Sequence, residues 1–215
     1  PGYEIYINNA IKFYYQENGD SKSEIQFKID AITGKQPEEI VVYLLADIKG
    51  CIWGIGRHIY QTSFIKKNNL LFPIGITRAE DMDFFINALI RSIKITAFSY
   101  PLTYYRVNRP GSATANFRVN GILDDIKIYK KWYDYFYSCN YSEKSKRKLC
   151  SKFANRITNF LGEINHASKN DKMVLIGKMK ENQKYLDSVS GAKHKTAVLV
   201  CNLFGFYIGT WMLGN

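Results

Sequence analysis

Histidine is scarce in this 215-residue chain, and the three present, His58, His166 and His194, show no zinc-ligand spacing. They are read as core or surface residues. The four cysteines, Cys51, Cys139, Cys150 and Cys201, are far apart and make no Cys-x-x-Cys. That excludes a motif of that kind and fits reduced thiols in an intracellular protein. No serine stands in a Gly-x-Ser-x-Gly context, so a nucleophile elbow is excluded. No Gly-rich phosphate loop and no leading pair of parallel strands is present. No signal peptide opens the sequence, which starts at Pro1-Gly2 without an initiator Met and reads as a trimmed or partial chain. Acids are also few, 19 against 30 Lys and Arg, for a formal net charge of +11. Such an excess suits an anionic partner: a nucleotide-sugar phosphate, an anionic membrane or nucleic acid. Most of it lies after residue 126.

What the chain has is apolar and aromatic mass. Hydrophobic residues make up 46%, and 16 Tyr and 13 Phe bring the aromatics to 15%. That is ample for a core, and tyrosine-rich surfaces suit sugars and interfaces because a flat apolar ring carries a polar tip. Tyr3, Ile7, Ala10, Ile11 and Tyr14 behind Pro1 follow helical spacing, which predicts a first helix. Ile25, Phe27, Ile29 and Ala31 alternate with polar residues and predict a strand. Pro37-Glu38-Glu39 opens a short helix, with acids at its positive end. Cys51–Gly56, continuing over Arg57–Gln61, predicts a strand, and Ser63 begins a short helix to Asn69.

The stretch from Leu70 to Thr114 carries the most information. Thr77 and Glu80 stand at capping-box spacing, so a helix is predicted from there. Met82, Phe85, Ile86, Leu89 and Ile93 make its buried face. The helix is predicted to end in Ile95–Phe98, followed by an extended run from Leu102 to Asn108 that stops at Pro110-Gly111. An ordered set of motifs runs through this region: Trp53, Tyr60-x-x-Ser63-Phe64, Phe72-Pro73, Glu80-Asp81-Met82-Asp83-Phe84, then Pro101-Leu102-x-Tyr104-Tyr105-Arg106-x-Asn108-Arg109-x-Gly111-Ser112. In this set, residues 1–115 resemble the acceptor-side half of family 2 glycosyltransferases of the GT-A fold.

The resemblance implies an α/β (α+β) fold: an incomplete GT-A-like mixed sheet with flanking helices over residues 1–120, then a helical C-terminal bundle over 121–215. It implies that Asp81 is the general base, taking the proton from an acceptor hydroxyl as that oxygen attacks the anomeric carbon with inversion. It implies acceptor or donor contacts from Glu80, Asp83, Trp53, Arg106, Arg109 and Ser112. For several of these a plainer role stands beside the functional one. Glu80 caps the helix or orients an acceptor, and Asp83 is otherwise a solvated first-turn charge. The arginines offer a rigid fork for phosphate oxygens or simply line an edge strand. Trp53 stacks on a sugar or is buried. Asp81-Met82-Asp83 is formally an Asp-x-Asp, but a helix follows it at once. The resemblance implies that the metal motif lies upstream of Pro1, with Mg or Mn in the intact enzyme and none bound by this chain alone. Asp124-Asp125 reads as surface charge. The partners implied are a nucleotide-sugar donor, with galactose as the suggested sugar, and a glycan or lipid-linked acceptor in cell-surface polysaccharide synthesis. The fragment alone is expected to be inactive, because the donor site lies outside it.

After Asn116 the pattern becomes helical. Leu123, Ile126, Tyr129, Trp132, Tyr133 and Phe136 carry one helix. Leu149, Phe153, Ile157, Phe160 and Leu161 carry a second after a basic break over 142–148. Residues 169–184 carry a third. Thr196 to Leu213 is nearly uncharged and reaches spanning length. It suits a core helix, an interfacial segment or a span. Lys193, His194 and Lys195 just before it fit peripheral contact at the inner face of the plasma membrane through 193–213, in an otherwise cytoplasmic protein. The rival reading is a non-enzymatic membrane- or protein-interaction module. No nucleic-acid partner is expected, since acids cluster at 80–83 and no basic recognition helix is present.

Overall fold

A computed structural model describes residues 2–14, 21–25, 27–48, 54–107 and 119–213. The chain divides into two units, one of Pro1–Gly75 and Glu80–Asn116, the other of Ile76–Ala79 and Phe117–Asn215.

The first unit is built on a four-stranded mixed sheet. Its centre is β1 (Ile5–Tyr14), parallel to β4 (Ile95–Val107) along one edge. The other edge is shared by β2 (Ser21–Ile25) and β3 (His58–Tyr60), both antiparallel. The helix expected at the start of the chain is therefore a strand. Ile5, Ile7 and Ala10 are buried between two sets of neighbours, and a β-branched, aromatic run gains more from a pleated, doubly paired position than from helical spacing. The two asparagines in mid-strand serve the sheet. The register slips on both sides of Asn9, so that Asn8 faces Phe98 while Asn9 faces Pro101. Asn9 Nδ2 donates to the Ser99 carbonyl at 3.0 Å, and Asn9 Oδ1 accepts the Phe27 N–H at 3.1 Å. A buried side-chain amide thus fills the hydrogen bonds that the bulge leaves open.

The strand expected over Ile25–Ala31 is shorter. β2 stops at Ile25, and Ile29–Ala31 form a 3₁₀ turn. Ile55–Arg57 are also a 3₁₀ turn rather than strand, leaving β3 only three residues; Cys51–Trp53 lie outside the described residues. α1 (Pro37–Val42) starts as predicted, with the Gln36 N–H on Glu39 Oε2 at 3.0 Å, and widens into a π-turn over Tyr43–Asp47. α2 (Thr62–Lys67) buries Phe64.

α3 (Glu80–Leu89) buries Met82, Phe84, Phe85, Ile86, Ala88 and Leu89. It ends several residues before the predicted Ile95–Phe98. The stop has a visible cause: Glu4 Oε2 accepts from the Ser92 hydroxyl at 3.0 Å, the Ile93 N–H at 2.8 Å and the Lys94 N–H at 3.2 Å. That carboxylate satisfies groups a longer helix would have used and turns the chain into β4. Ile93 accordingly sits outside the buried face, 74% exposed.

The second unit is a helical bundle of α4 (Val119–Ser138), α5 (Glu143–Ile164), α6 (Lys169–Glu181), a 3₁₀ turn (Gln183–Ser188) and α7 (Ala192–Leu213). Its core is aromatic, with Trp132 and Phe136 buried and Tyr129 stacked on Phe160 at 5.9 Å. The break expected over 142–148 shrinks to a cap: Ser142 Oγ accepts the Ser145 N–H at 3.3 Å, and the basic residues that follow lie in the first turns of α5.

Asp124 and Asp125 are not idle surface charge. Asp124 Oδ2 accepts the Thr77 N–H at 2.8 Å and the Thr77 hydroxyl at 2.9 Å. Asp125, 2% exposed, pairs with Arg78 Nε at 2.7 Å. Burial pushes the Asp125 carboxyl up to about 7, against the pull of Arg78, with the negative charge of Glu163 adding to the rise.

α7 is two helical pieces joined at Gly205, where φ is +78° and ψ is 159°. The chain folds back there: a methyl on Gly209 would meet Cys201 Sγ at 2.5 Å and Cys201 Cα at 3.2 Å. Among the described residues no helix is long and apolar enough to cross a membrane.

Candidate active site

The first turn of α3 holds three carboxylates, Glu80, Asp81 and Asp83. Thr77 does not cap this helix, because its N–H and hydroxyl are both given to Asp124. The helix starts at Glu80 instead, just after Ala79 turns the backbone through φ +65°. The expected capping box is therefore not formed.

Two residues of α-helix rotate a side chain by about 200°, so Asp81 and Asp83 point apart. Asp83 is turned inward, 3% exposed, and Asn87 Nδ2 donates to its Oδ2 at 3.3 Å. It is not the solvated charge of the plainer expectation. The two carboxylates do not converge on one ion, so this Asp-x-Asp does not make a metal pair. Among the described residues no group of three or more His, Cys, Asp or Glu could hold one.

Asp81 is half-buried in this turn. Its Oδ1 accepts the Met82 N–H at 2.7 Å. Burial pushes its carboxyl up to about 6, the Met82 N–H opposes this, and the charge of Glu80 adds to it. A carboxyl held there is half ionised near pH 6 and mostly ionised at neutral pH, ready to accept a proton as a general base does.

Aromatic rings pack around this turn. His58 stacks on Phe85 at 4.1 Å, and Tyr60 meets Phe84 edge-on at 5.4 Å. Phe72, 45% exposed, stacks on Phe84 at 4.4 Å. The Tyr60 phenol is raised well above its ordinary value, first by burial and then by the charge of Asp81.

Of the residues named from sequence, Glu80, Asp81 and Asp83 share this turn. Arg106 is exposed near the end of β4, opposite Phe13 of β1. Trp53, Arg109 and Ser112 lie outside the described residues. Tyr60 belongs to the motif Tyr60-x-x-Ser63-Phe64, and the sequence alone assigns it no role. The available signal was two rings at i and i+2 on a strand, His58 and Tyr60, answering two adjacent rings, Phe84 and Phe85, on a helix that carries carboxylates.

No family model and no curated protein matches the sequence. Solved structures do. S. aureus TarS 1–349 in complex with UDP-GlcNAc is 14% identical with a TM-score of 0.59, covering 98% of this chain and 58% of that one. The same protein in complex with UDP is 14% identical with a TM-score of 0.59, over 98% and 57%. TarS 1–349 without a named ligand is 15% identical with a TM-score of 0.53, over 98% and 57%. The chain thus spans less than two thirds of the TarS chains it matches. At this identity the likeness establishes the fold, which is glycosyltransferase-like.

Proposed function

We propose that this chain is the acceptor-side part of an inverting family 2 glycosyltransferase of the GT-A fold. The reaction moves a sugar from a nucleotide-sugar onto a glycan or lipid-linked acceptor in cell-surface polysaccharide synthesis. The observation that carries this is Asp81, a carboxyl at a helix mouth whose burial places its pKa at about 6. In the step proposed, Asp81 takes the proton of an acceptor hydroxyl as that oxygen bonds to the anomeric carbon. The bond from that carbon to the nucleotide diphosphate breaks, and the diphosphate leaves with the electron pair. Glu80 lies next to it, raising its basicity and able to accept a second hydroxyl of the acceptor. Arg106, with Arg109 and Ser112, is assigned to the diphosphate or the acceptor. TarS binds UDP-GlcNAc, so the donor class proposed is a uridine diphosphate hexose, galactose among them. The donor half of the fold, and a divalent Mg or Mn, would come from outside this chain, so the chain alone is expected to be inactive.

The helical unit supports a second part of the proposal, peripheral contact with the inner face of the plasma membrane through 193–213. Leu203, Phe204, Tyr207, Ile208 and Trp211 are all exposed on α7, with Lys193 and Lys195 at its start. Exposed aromatic and aliphatic side chains beside lysines suit an anionic lipid surface.

Asp81→Asn in the enzyme translated from the full reading frame tests the catalytic role. Transfer is expected to fall at least about 100-fold while donor binding survives. Near-normal turnover removes Asp81 from the mechanism.

A further inference from the structure

Tyr60 is a buried donor with nothing to donate to. Its hydroxyl is shut off from solvent and makes no hydrogen bond among the described residues. A buried hydroxyl left that way costs free energy unless some state of the protein satisfies it. Its surroundings are well defined. β3 presents His58 and Tyr60, two residues apart, on one side of the strand, and they pack on Phe85 and Phe84 of α3. Phe84 and Phe85 are three and four residues beyond Asp81, so all three share one face of the helix. The Tyr60 phenol therefore lies over the face that carries Asp81, close enough for the Asp81 charge to act on it. Asp81, for its part, has one oxygen committed to the Met82 N–H, while its Oδ2 takes no hydrogen bond from another described side chain.

We propose that Tyr60 is the positioning residue of the general base: when the acceptor site closes, the Tyr60 hydroxyl donates to Asp81 Oδ2. The Met82 N–H and the Tyr60 hydroxyl then hold the carboxylate from two sides. Rotation about the side chain is restricted, and one lone pair is left aimed at the acceptor hydroxyl. The geometry resembles any base fixed by a third group, with the orienter here a phenol in place of a carboxylate. No proton leaves Tyr60, whose burial beside a negative charge keeps it a neutral donor. The other charged or titratable groups at this face are Glu80 on α3 and His58 on β3. Glu80 raises Asp81, and His58 is stacked on Phe85.

The inference rests on the base role proposed for Asp81, and one substitution separates the two. Tyr60→Phe keeps the ring and its packing on Phe84 and removes only the hydroxyl. If that hydroxyl is merely buried, its removal leaves thermal stability the same or higher and changes nothing else. If it holds the ionised base, kcat falls about tenfold with acceptor and donor KM little changed. The acid limb of the kcat–pH profile then moves upward by about one unit, because a hydrogen bond to the charged form is lost. The measurement is the full pH profile of wild-type and Tyr60→Phe enzyme, with thermal unfolding alongside. Wild-type transfer with superimposable profiles overturns the positioning role and leaves Asp81 standing. A fall in kcat with an unmoved limb, accompanied by a lower Tm, also overturns it, since that is loss of packing. Absence of an acid limb in the wild type overturns both.

Discussion

A methyl group at residue 209 discriminates between two shapes for the C-terminal apolar run. In an unbroken helix, Gly209→Ala is a gain of about 1 kcal/mol, since alanine is the better helix former. In the folded-back arrangement the same methyl would stand 3.2 Å from Cys201 Cα and 2.5 Å from Cys201 Sγ. The sulfur can rotate away, but a backbone carbon cannot, and Cys201 is buried. Overpacking of that kind costs about 1–3 kcal/mol, which outweighs the propensity gain. Net destabilisation of up to about 2 kcal/mol is expected, a fall in Tm of up to about 8 °C. Gly205→Ala should also cost about 1–3 kcal/mol, for another reason: nothing crowds it, but its backbone lies in a region that side-chain-bearing residues avoid. Cys201→Ala should recover part of the Gly209→Ala loss and none of the Gly205→Ala loss. The assay is thermal unfolding of the four variants by circular dichroism. A rise in Tm for Gly209→Ala would refute the folded-back geometry.

Two further outcomes follow from the helical unit. Asp125 has its native pKa raised to about 7 from an ordinary 3.8, so the native state binds the extra proton between those values. Its contribution is full below about pH 4 and is lost as pH rises through 7, with a slope of up to about 1.4 kcal/mol per unit. Asp125→Asn should flatten the unfolding free energy over pH 4–8, measured by urea titration at each pH; an unchanged slope contradicts the burial argument. The exposed face of α7 should carry the full chain onto anionic vesicles at low salt. Phe204→Ser with Trp211→Ser should weaken this at least about tenfold, read by co-sedimentation. A chain that stays in the supernatant at low salt removes the membrane contact.

The sequence was most legible where one physical effect dominated. α4 could be read from apolar spacing because it buries a single stripe, and Pro37-Glu38-Glu39 opened α1 through local chemistry alone; in α3 the spacing marked the helix but not that Asp83 and Phe84 are buried as well. β1 misled because Ile7, Ala10, Ile11 and Tyr14 satisfy helical spacing by coincidence; the neighbours that make it a strand lie some ninety residues away in β4. The ends of α3 failed for a related reason. Thr77 was taken by Asp124 and the C-terminal turn by Glu4, partners distant in sequence that no window could reveal. Asp125 looked like surface charge because acids in amphipathic helices usually are. The carboxylate turn was visible, yet Tyr60 was not singled out: a buried hydroxyl declares itself only when its missing partner can be looked for. For Trp53, Arg109 and Ser112 the expectation from sequence stands as made, outside the described residues.

The pH dependence of kcat for the full-length enzyme, with acceptor and donor saturating, tests most directly whether a carboxylate at position 81 is the proton acceptor. Turnover is expected to fall tenfold per unit on the acid side of a limb near pH 6, matching the raised Asp81 carboxyl, with Asp81→Asn showing no such limb in its residual activity. A wild-type rate that stays level down to about pH 4.5, or a limb that persists unchanged in Asp81→Asn, would contradict it.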